Sequence, residues 1–252
     1  MHQINKWEQA VRLKQNPLTS RNFPETEVFS EDVLQEFLNR SSFVYVKPIG
    51  GREGKGVIRI SKNSNGIYSI NGYTNTGSKM DKECFNMEEV LTFLYSNHIQ
   101  KSLPNYIIQQ GISSFTADGQ ALGVRVHIQY VKDQWVLGGM LGKLGNQEDG
   151  IVNRNRGARA LPIRELLLLH LHMNQQEARV VEEKIELLCL EAGRVFHAEH
   201  DWLKECGIDI GIDPSGEVWI FEVNMRPSIK FFYHLEDKSV VNQIKKNRLN
   251  RK

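Results

Sequence analysis

The chain has 252 residues, 40% of them hydrophobic, enough to bury a sizeable core in one large domain or in two closely joined lobes. Lys and Arg number 32 against 30 Asp and Glu, and a net charge of +2 gives no global electrostatic case for a nucleic-acid partner. Three scattered cysteines, Cys84, Cys189 and Cys206, with no CxxC pair, argue against a zinc ribbon or a disulfide framework and fit a reducing compartment. The N-terminus is charged and polar, unlike a secretory signal, and no run approaches the roughly 20 apolar residues of a membrane-spanning helix. The chain is therefore read as soluble and cytoplasmic, with no membrane insertion and no nucleic acid expected.

In residues 1–29, Pro17 and Pro24 leave room for a short helix around Trp7 to Leu13 and then extended chain. Ser30 is an N-cap followed by Glu31 and Asp32, whose charges suit the first turn of a helix. Val33, Leu34, Phe37 and Leu38 give that helix an apolar stripe. Phe43 to Val46 reads as a strand ending in Lys47-Pro48. A glycine-rich loop from Ile49 to Gly56 leads to a second strand, Val57 to Ser61, and Asn65-Gly66 signals a hairpin into a third, Ile67 to Ile70. Asn86, with Glu88 and Glu89, starts a helix running to about His98.

Beyond Pro104 the pattern is β again, with strands at Tyr106 to Gln110, Leu122 to Val131 and Trp135 to Leu144. Gly145 to Ala160 is a long polar loop, of the kind that is functional or disordered. Asn174 with Glu177 is a capping-box start for a long helix faced by Ala178, Val181, Ile185, Leu188, Ala192 and Val195. Gly193 inside that helix costs about 1 kcal/mol against Ala and points to close packing there. From Lys238 to Lys252 there are six basic residues and no acidic one, which reads as a solvated, partly frayed helix.

The most informative stretch is Gly207 to Pro227, GIDIGIDPSGEVWIFEVNMRP, read as a hairpin turning at Asp213-Pro214-Ser215-Gly216. Two registers compete, because a one-residue slip moves a whole strand to the other face. With Asp213 opposite Gly216, Ile208, Ile210 and Ile212 share a face with Trp219, Phe221 and Val223. The other face then gathers Asp209, Gly211, Val218, Ile220, Glu222 and Asn224. The slipped register would bury Asp209 beside Phe221, and an unpaired buried carboxylate is costly, so the first register is expected. It collects two carboxylates and an amide oxygen, hard ligands of the kind Mg²⁺ takes. A plain surface hairpin is the alternative on this stretch alone.

The loop after Lys47 is the second feature. Gly50, Gly51, Gly54 and Gly56 free backbone N–H groups to approach an anion, and Lys47 and Lys55 add charge. The glycine spacing is not that of a Walker A loop, and the loop joins strand to strand. A flap over nucleotide phosphates and a flexible hairpin loop are both compatible with it. The histidines, including His170, His172, His197 and His200, lack a third ligand at metal-binding spacing and are read as surface or packing residues. No cysteine or serine stands in a nucleophile's context.

VYVKPIGGREGKGVIRI resembles the Lys-Pro strand and flap of the ATP-grasp superfamily, and Asp209, Glu222 and Asn224, spaced D-x12-E-x-N, resemble its magnesium ligands. More narrowly, the chain resembles the ATP-grasp part of the endospore coat-associated YheC/YheD family. The matching pieces are NKW (5–7), FPET (23–26), VKPIGGREGKGVIRI (46–60), IIQQGI (107–112), VRV (124–126), VNRNRG (152–157) and IDIGID…VWIFEVNMRP. The resemblance implies an α+β ATP-grasp fold whose two lobes clamp a nucleotide. The segments expected are an N-terminal piece (1–29), a flap-bearing lobe (30–108), a lobe with the magnesium hairpin (109–236) and a basic tail (237–252).

It also implies roles. Lys6, Lys47 and Lys55 would contact ATP phosphates, with Gly50, Gly51, Gly54 and Gly56 closing over them. Gln109, Gln110, Gly111 and Ile112 would form the hinge that meets adenine and ribose. Arg125, Lys143, Asn153 and Arg156 would face the transferred phosphate or the acyl substrate, and Asp209, Glu222 and Asn224 would hold Mg²⁺. The activity implied is an ATP- and Mg²⁺-dependent carboxylate–amine or carboxylate–thiol ligase acting through an acylphosphate, with spore association. The second reading is a spore coat-associated ATP-binding or structural protein with little turnover. Three positions depart from the family's pattern: Gly123 stands where an acidic residue is usual, Lys143 where an arginine is, and Ala158 where a second glycine is. The N-terminal domain that such ligases normally carry has no counterpart in these residues.

Overall fold

The computed structural model describes residues 4–51, 54–97, 105–145, 152 and 157–250. Two compact units emerge, one formed by Ile4–Ala10 and Pro24–Gly111, the other built from the described residues of Val11–Phe23 and Ile112–Lys252. The first helix, α1 (Lys6–Gln15), contributes to both.

The first unit is a six-stranded antiparallel sheet in the order β1-β6-β2-β3-β4-β5. Its strands are β1 (Thr26–Val28), β2 (Phe43–Pro48), β3 (Ile58–Lys62), β4 (Tyr68–Tyr73), β5 (Lys79–Cys84) and β6 (Tyr106–Gln110), with helices α2 (Glu31–Arg40) and α3 (Met87–Asn97). One sheet face is apolar: Val44, Val46, Ile58, Ile60, Ile70 and Ile108 pack with Leu34, Phe37, Val90 and Leu94 of the two helices. Alternation then sends Tyr45, Lys47, Arg59 and Gln109 to the opposite face. Ser30 caps α2 by accepting from Val33 N, and Asn86 receives Glu89 N at 2.9 Å ahead of α3. Two strands carry no apolar alternation and are not legible in the sequence. β1 is only three residues long, and β5 is an edge strand bearing Lys79, Asp81, Lys82 and Glu83, charges that keep an edge from pairing with another chain.

The second unit is a five-stranded antiparallel sheet in the order β11-β10-β7-β8-β9. It comprises β7 (Leu122–Val131), β8 (Gln134–Leu144), β9 (Arg159–Leu161), β10 (Glu205–Ile212) and β11 (Val218–Asn224). A single α-turn, α4 (Ile163–Glu165), runs into a wider turn at Leu166–His170, and the long α5 (Gln175–His197) follows behind a complete Asn174–Glu177 capping box. α5 lies on the face carrying Ile128, and a Cβ on Gly193 would sit 2.7 Å from Ile128 Cδ1 and 2.8 Å from the Trp135 ring, the close packing expected there. The described part of the basic tail is a packed helix rather than a solvated one. α6 (Ser239–Leu249) buries Val241, Ile244 and Asn247, and the sheet's Gln129 donates to Ile244 O and accepts from Asn247 Nδ2, both at 3.0 Å. Residues 24–29 likewise fall in the first unit, and Thr26–Val28 join its sheet as β1.

The expected hairpin register is corrected. The loop has three residues, Pro214, Ser215 and Gly216, because Asp213 N donates to Glu217 O while Gly216 N donates to Asp213 O. Gly216 sits at φ +82°, the left-handed residue that completes such a loop. Asp213 Oδ1 holds the turn by accepting from Ser215 N and Glu217 N. The same arrangement closes the loops at Asn63–Ile67, Thr74–Ser78 and Thr116–Gln120. The extra residue pairs Ile212 with Val218 and Ile210 with Ile220, so Val218 and Ile220 enter the core and Trp219 does not. Trp219 instead donates its indole N–H to Asp213 Oδ2 at 2.9 Å, and the Phe221 ring lies where a side chain on Gly211 would be. A bulge follows: Phe221 is skipped between Ile210↔Ile220 and Asp209↔Glu222. The two single-residue shifts restore parity, so Asp209, Glu222 and Asn224 still share one face.

Candidate functional site

On the flap-bearing unit Lys6 and Gly51 meet at the start of α1 and Lys47 lies near the end of β2, whereas the Lys55 side chain lies by the β4–β5 turn, where a Cβ on Gly77 would stand 3.7 Å from its Cε. Lys6 Nζ donates to Gly51 O at 3.1 Å, and its backbone N–H donates to Ile49 O at 3.2 Å. Lys47 Nζ donates to Gln109 Oε1 and lies 5.0 Å from the centre of the Tyr45 ring. Gly51, Gly54 and Gly56 all have positive φ, and Gly56 N donates to Thr74 O, tying the loop's end to the β4–β5 turn. Arg52 and Glu53 lie outside the described residues. In the expected hinge, buried Gln109 donates to Thr26 Oγ1 at 2.9 Å, Gln110 pairs with Glu25, and Gly111 N donates to Phe43 O. The division between the units falls between Gly111 and Ile112.

On the five-stranded sheet the charged set lies on the face opposite α5. Asp209 of β10 is the cross-strand partner of Arg125 on one side and of Glu222 on the other. Its carboxylate accepts from Arg125 Nη1 at 2.7 Å, from Lys143 Nζ at 2.6 Å and, more loosely, from Asn224 Nδ2 at 3.3 Å. Burial pushes the Asp209 carboxyl up, but the charges of Arg125 and Lys143, and the hydrogen bonds they donate, outweigh it and hold its pKa below the ordinary carboxylate value. Two glycines make room for this. A Cβ on Gly207 would stand 3.2 Å from Arg125 Cζ, and one on Gly123 would stand 3.3 Å from Lys143 Cε. Asn153 and Arg156 lie outside the described residues.

Sequence reasoning named Arg125, Lys143 and Asp209 but gave them separate tasks; the structure brings them together as one ion-pair network. It also missed Gly207 and Gly123 as the spaces that network needs. Pairing the alternation of VRV with that of IDI could have signalled the Arg125–Asp209 contact. Beside the network, His127 is fully buried and meets Glu205 at 3.1 Å, while Arg248 of α6 donates to both Glu205 oxygens. The three cysteines are buried, and burial pushes their thiols up, which suits packing rather than nucleophilic use.

Asp209, Glu222 and Asn224 supply the oxygen donors that a hard divalent cation takes. Among the described residues no three His, Cys, Asp or Glu side chains are grouped to hold a metal, and the Asn224 amide stands beside Asp209 as a further oxygen donor. The donor set fits Mg²⁺ on condition that Asn224 presents its oxygen.

Two antiparallel sheets with flanking helices, a glycine-rich loop between β2 and β3 and an acid-x-Asn strand at β11 define an ATP-grasp protein. The chain belongs to the YheC/D-like ATP-grasp family, whose sequence profile matches residues 2–251. It is 24% identical over 234 residues to the endospore coat-associated protein YheD of Bacillus subtilis (strain 168), covering 92% of this chain and 50% of that protein. It thus spans half the length of that relative. Among solved structures, the D-cycloserine synthetase DcsG superposes with a TM-score of 0.56 at 12% identity, over 96% of this chain and 68% of that one. The ATP-grasp ligase PsnB in complex with a minimal precursor gives 0.56 at 14% identity, over 98% and 60%. At these identities what is shared is the fold. Among the described residues no helix is long and apolar enough to cross a membrane.

Proposed function

We propose that the protein binds ATP with Mg²⁺ and acts as a carboxylate–amine or carboxylate–thiol ligase. The observation that carries this reading is the Asp209 cluster: two carboxylates and an amide on one sheet face, with Arg125 and Lys143 directly on Asp209, in a chain of the ATP-grasp family. Lys6, Lys47, Lys55 and the loop glycines would receive the phosphates, and Gln109 to Ile112 would meet the adenosine. Asp209, Glu222 and Asn224 would hold Mg²⁺, which neutralises phosphate charge when bound. A substrate carboxylate oxygen would attack the γ-phosphorus, forming an acylphosphate and releasing ADP. An amine or thiol would then attack the acyl carbon, lose its proton and expel phosphate. Arg125 and Lys143 would steady the negative charge as it moves, an electrostatic and positioning role usual in phosphoryl transfer. Asn153 and Arg156 are assigned to the same substrate side.

The test is thermal denaturation of the intact protein. ATP with Mg²⁺ should raise the melting temperature, and Glu222→Ala should remove the Mg²⁺-dependent part while leaving a response to ATP alone. No response to ATP with Mg²⁺ would overturn the proposal.

The second reading, a spore coat-associated ATP-binding protein with little turnover, draws on the name of the Bacillus relative and on Lys143, whose single ammonium cannot grip a phosphate bidentately as arginine does. Acceptor-dependent ADP release across a panel of amino acids and short peptides separates the two, since steady release excludes the non-catalytic form.

A further inference from the structure

We infer that Lys143 is an internal counter-ion that makes cation binding at Asp209 conditional on a nucleotide triphosphate, and that Gly123 is the opening through which it reaches. The inference rests on the ATP reading above and adds to it an order of events. Lys143 is on β8 and Asp209 on β10, with β7 between them, so the two backbones stand about 10 Å apart at ordinary strand spacing. The lysine spans this gap by lying across its own cross-strand partner, Gly123, and ends 2.6 Å from Asp209 Oδ1.

A Cβ at position 123 would stand 3.3 Å from Lys143 Cε and 3.3 Å from Ile210 O, so any other residue crowds the path from both sides. Lys143 is 7% exposed, which marks the contact as built into the fold rather than as a passing surface pair. Arg125 takes the second Asp209 oxygen at 2.7 Å. Both oxygens that a cation would need are therefore answered by fixed positive charge, and a bare divalent ion arriving at Asp209 meets two like charges. A triphosphate changes the balance. Its oxygens give the Lys143 ammonium another anionic partner, and as Lys143 turns to them it leaves Asp209 Oδ1 for the ion. Lys143 is in this sense a positioning residue, occupying one ligand's oxygen until the anion that replaces it is present. Gly123 is thus the companion of Lys143: the lysine crosses the sheet over a position that has no side chain.

The experiment is calorimetric titration of Mg²⁺ into the intact protein, with and without the β,γ-imido analogue of ATP, on wild type, Lys143→Met, Lys143→Arg and Gly123→Ala. In wild type, Mg²⁺ should bind at least about fivefold more tightly with the analogue present, the lower end of ordinary coupling between sites. Lys143→Met should bind Mg²⁺ alone at least about fivefold more tightly than wild type and lose most of the dependence on the analogue. Lys143→Arg should keep the dependence, and Gly123→Ala should fall between wild type and Lys143→Met. If Lys143→Met does not fold, Gly123→Ala carries the test in the same direction. Equal Mg²⁺ affinity with and without the analogue in wild type would overturn the inference, as would a folded Lys143→Met or Gly123→Ala that binds Mg²⁺ as wild type does. In both cases binding of the analogue still supports the ATP reading, whereas a wild type that binds no analogue at all sinks that reading and the inference with it.

Discussion

Basic side chains in the two units make different hydrogen bonds. In the first unit, Lys6 of α1 donates to a backbone carbonyl, Lys47 of β2 to the Gln109 amide, and Arg59 of β3 lies 4.2 Å over the Phe43 ring. In the second unit, Arg125 of β7 and Lys143 of β8 are both bonded to the Asp209 carboxylate, and Arg248 of α6 to that of Glu205. A cation in a half-buried ion pair is released only from a partner that is then left charged and poorly solvated. The members of the Asp209 network are therefore coupled, and moving one leaves another uncompensated.

The sharpest way to break this comparison is to remove one member from each side. Asp209→Ala leaves two mostly buried cations unpaired and should cost about 3 kcal/mol of stability, the low end for a broken buried pair because Asp209 stays 25% exposed. Lys47→Met, which leaves the buried Gln109 acceptor without this donor, should cost about 1 kcal/mol. Urea denaturation measures both, and equal losses would mean that the two cation sets are not different in kind. A second prediction concerns the turn that sets the hairpin register. Gly216→Ala forces a side chain into the left-handed region and should cost about 1 kcal/mol, read by thermal denaturation; no loss would mean the loop is not built on that residue.

The smallest effect is a pH dependence at the edge of the charged face. Burial lowers the His127 pKa below its ordinary 6.5, partly offset by the hydrogen bond to Glu205. The folded value lies below the unfolded one, so the stability contributed by neutral His127 is complete above about pH 6.5 and is lost as pH falls through the folded value. Stability measured at pH 7.5 and 5.5 should therefore diverge more in wild type than in His127→Asn. An unchanged difference would remove His127 from the account.

Much of the fold was legible because its signals are local. The Ser30, Asn86 and Asn174 caps, the buried stripe of α5 and the alternating runs of β2, β6, β7 and β8 each depend on a few neighbouring residues. β1, β5 and β9 were not, since short or charged edge strands gain their pairing from partners far along the chain. The candidate site divides in the same way. Asp209, Glu222 and Asn224 were placed on one face by alternation, whereas the bonding of Lys143 to Asp209 depends on Gly123, which no periodicity connects to either.

The Gly207–Pro227 hairpin shows where the two kinds of information separate. Its chemistry was fixed by the residues themselves: carboxylates avoid an apolar core, β-branched side chains fill it, and Asp-Pro-Ser-Gly turns the chain. Its register was decided by tertiary structure. The three-residue loop moved Trp219 out of the core, and the bulge at Phe221 moved Glu222 back beside Asp209. Each shift reverses the faces, and only together do they keep the acids together. That cancellation arises from packing against the rest of the sheet, because the choice between faces is settled by what each face is pressed against.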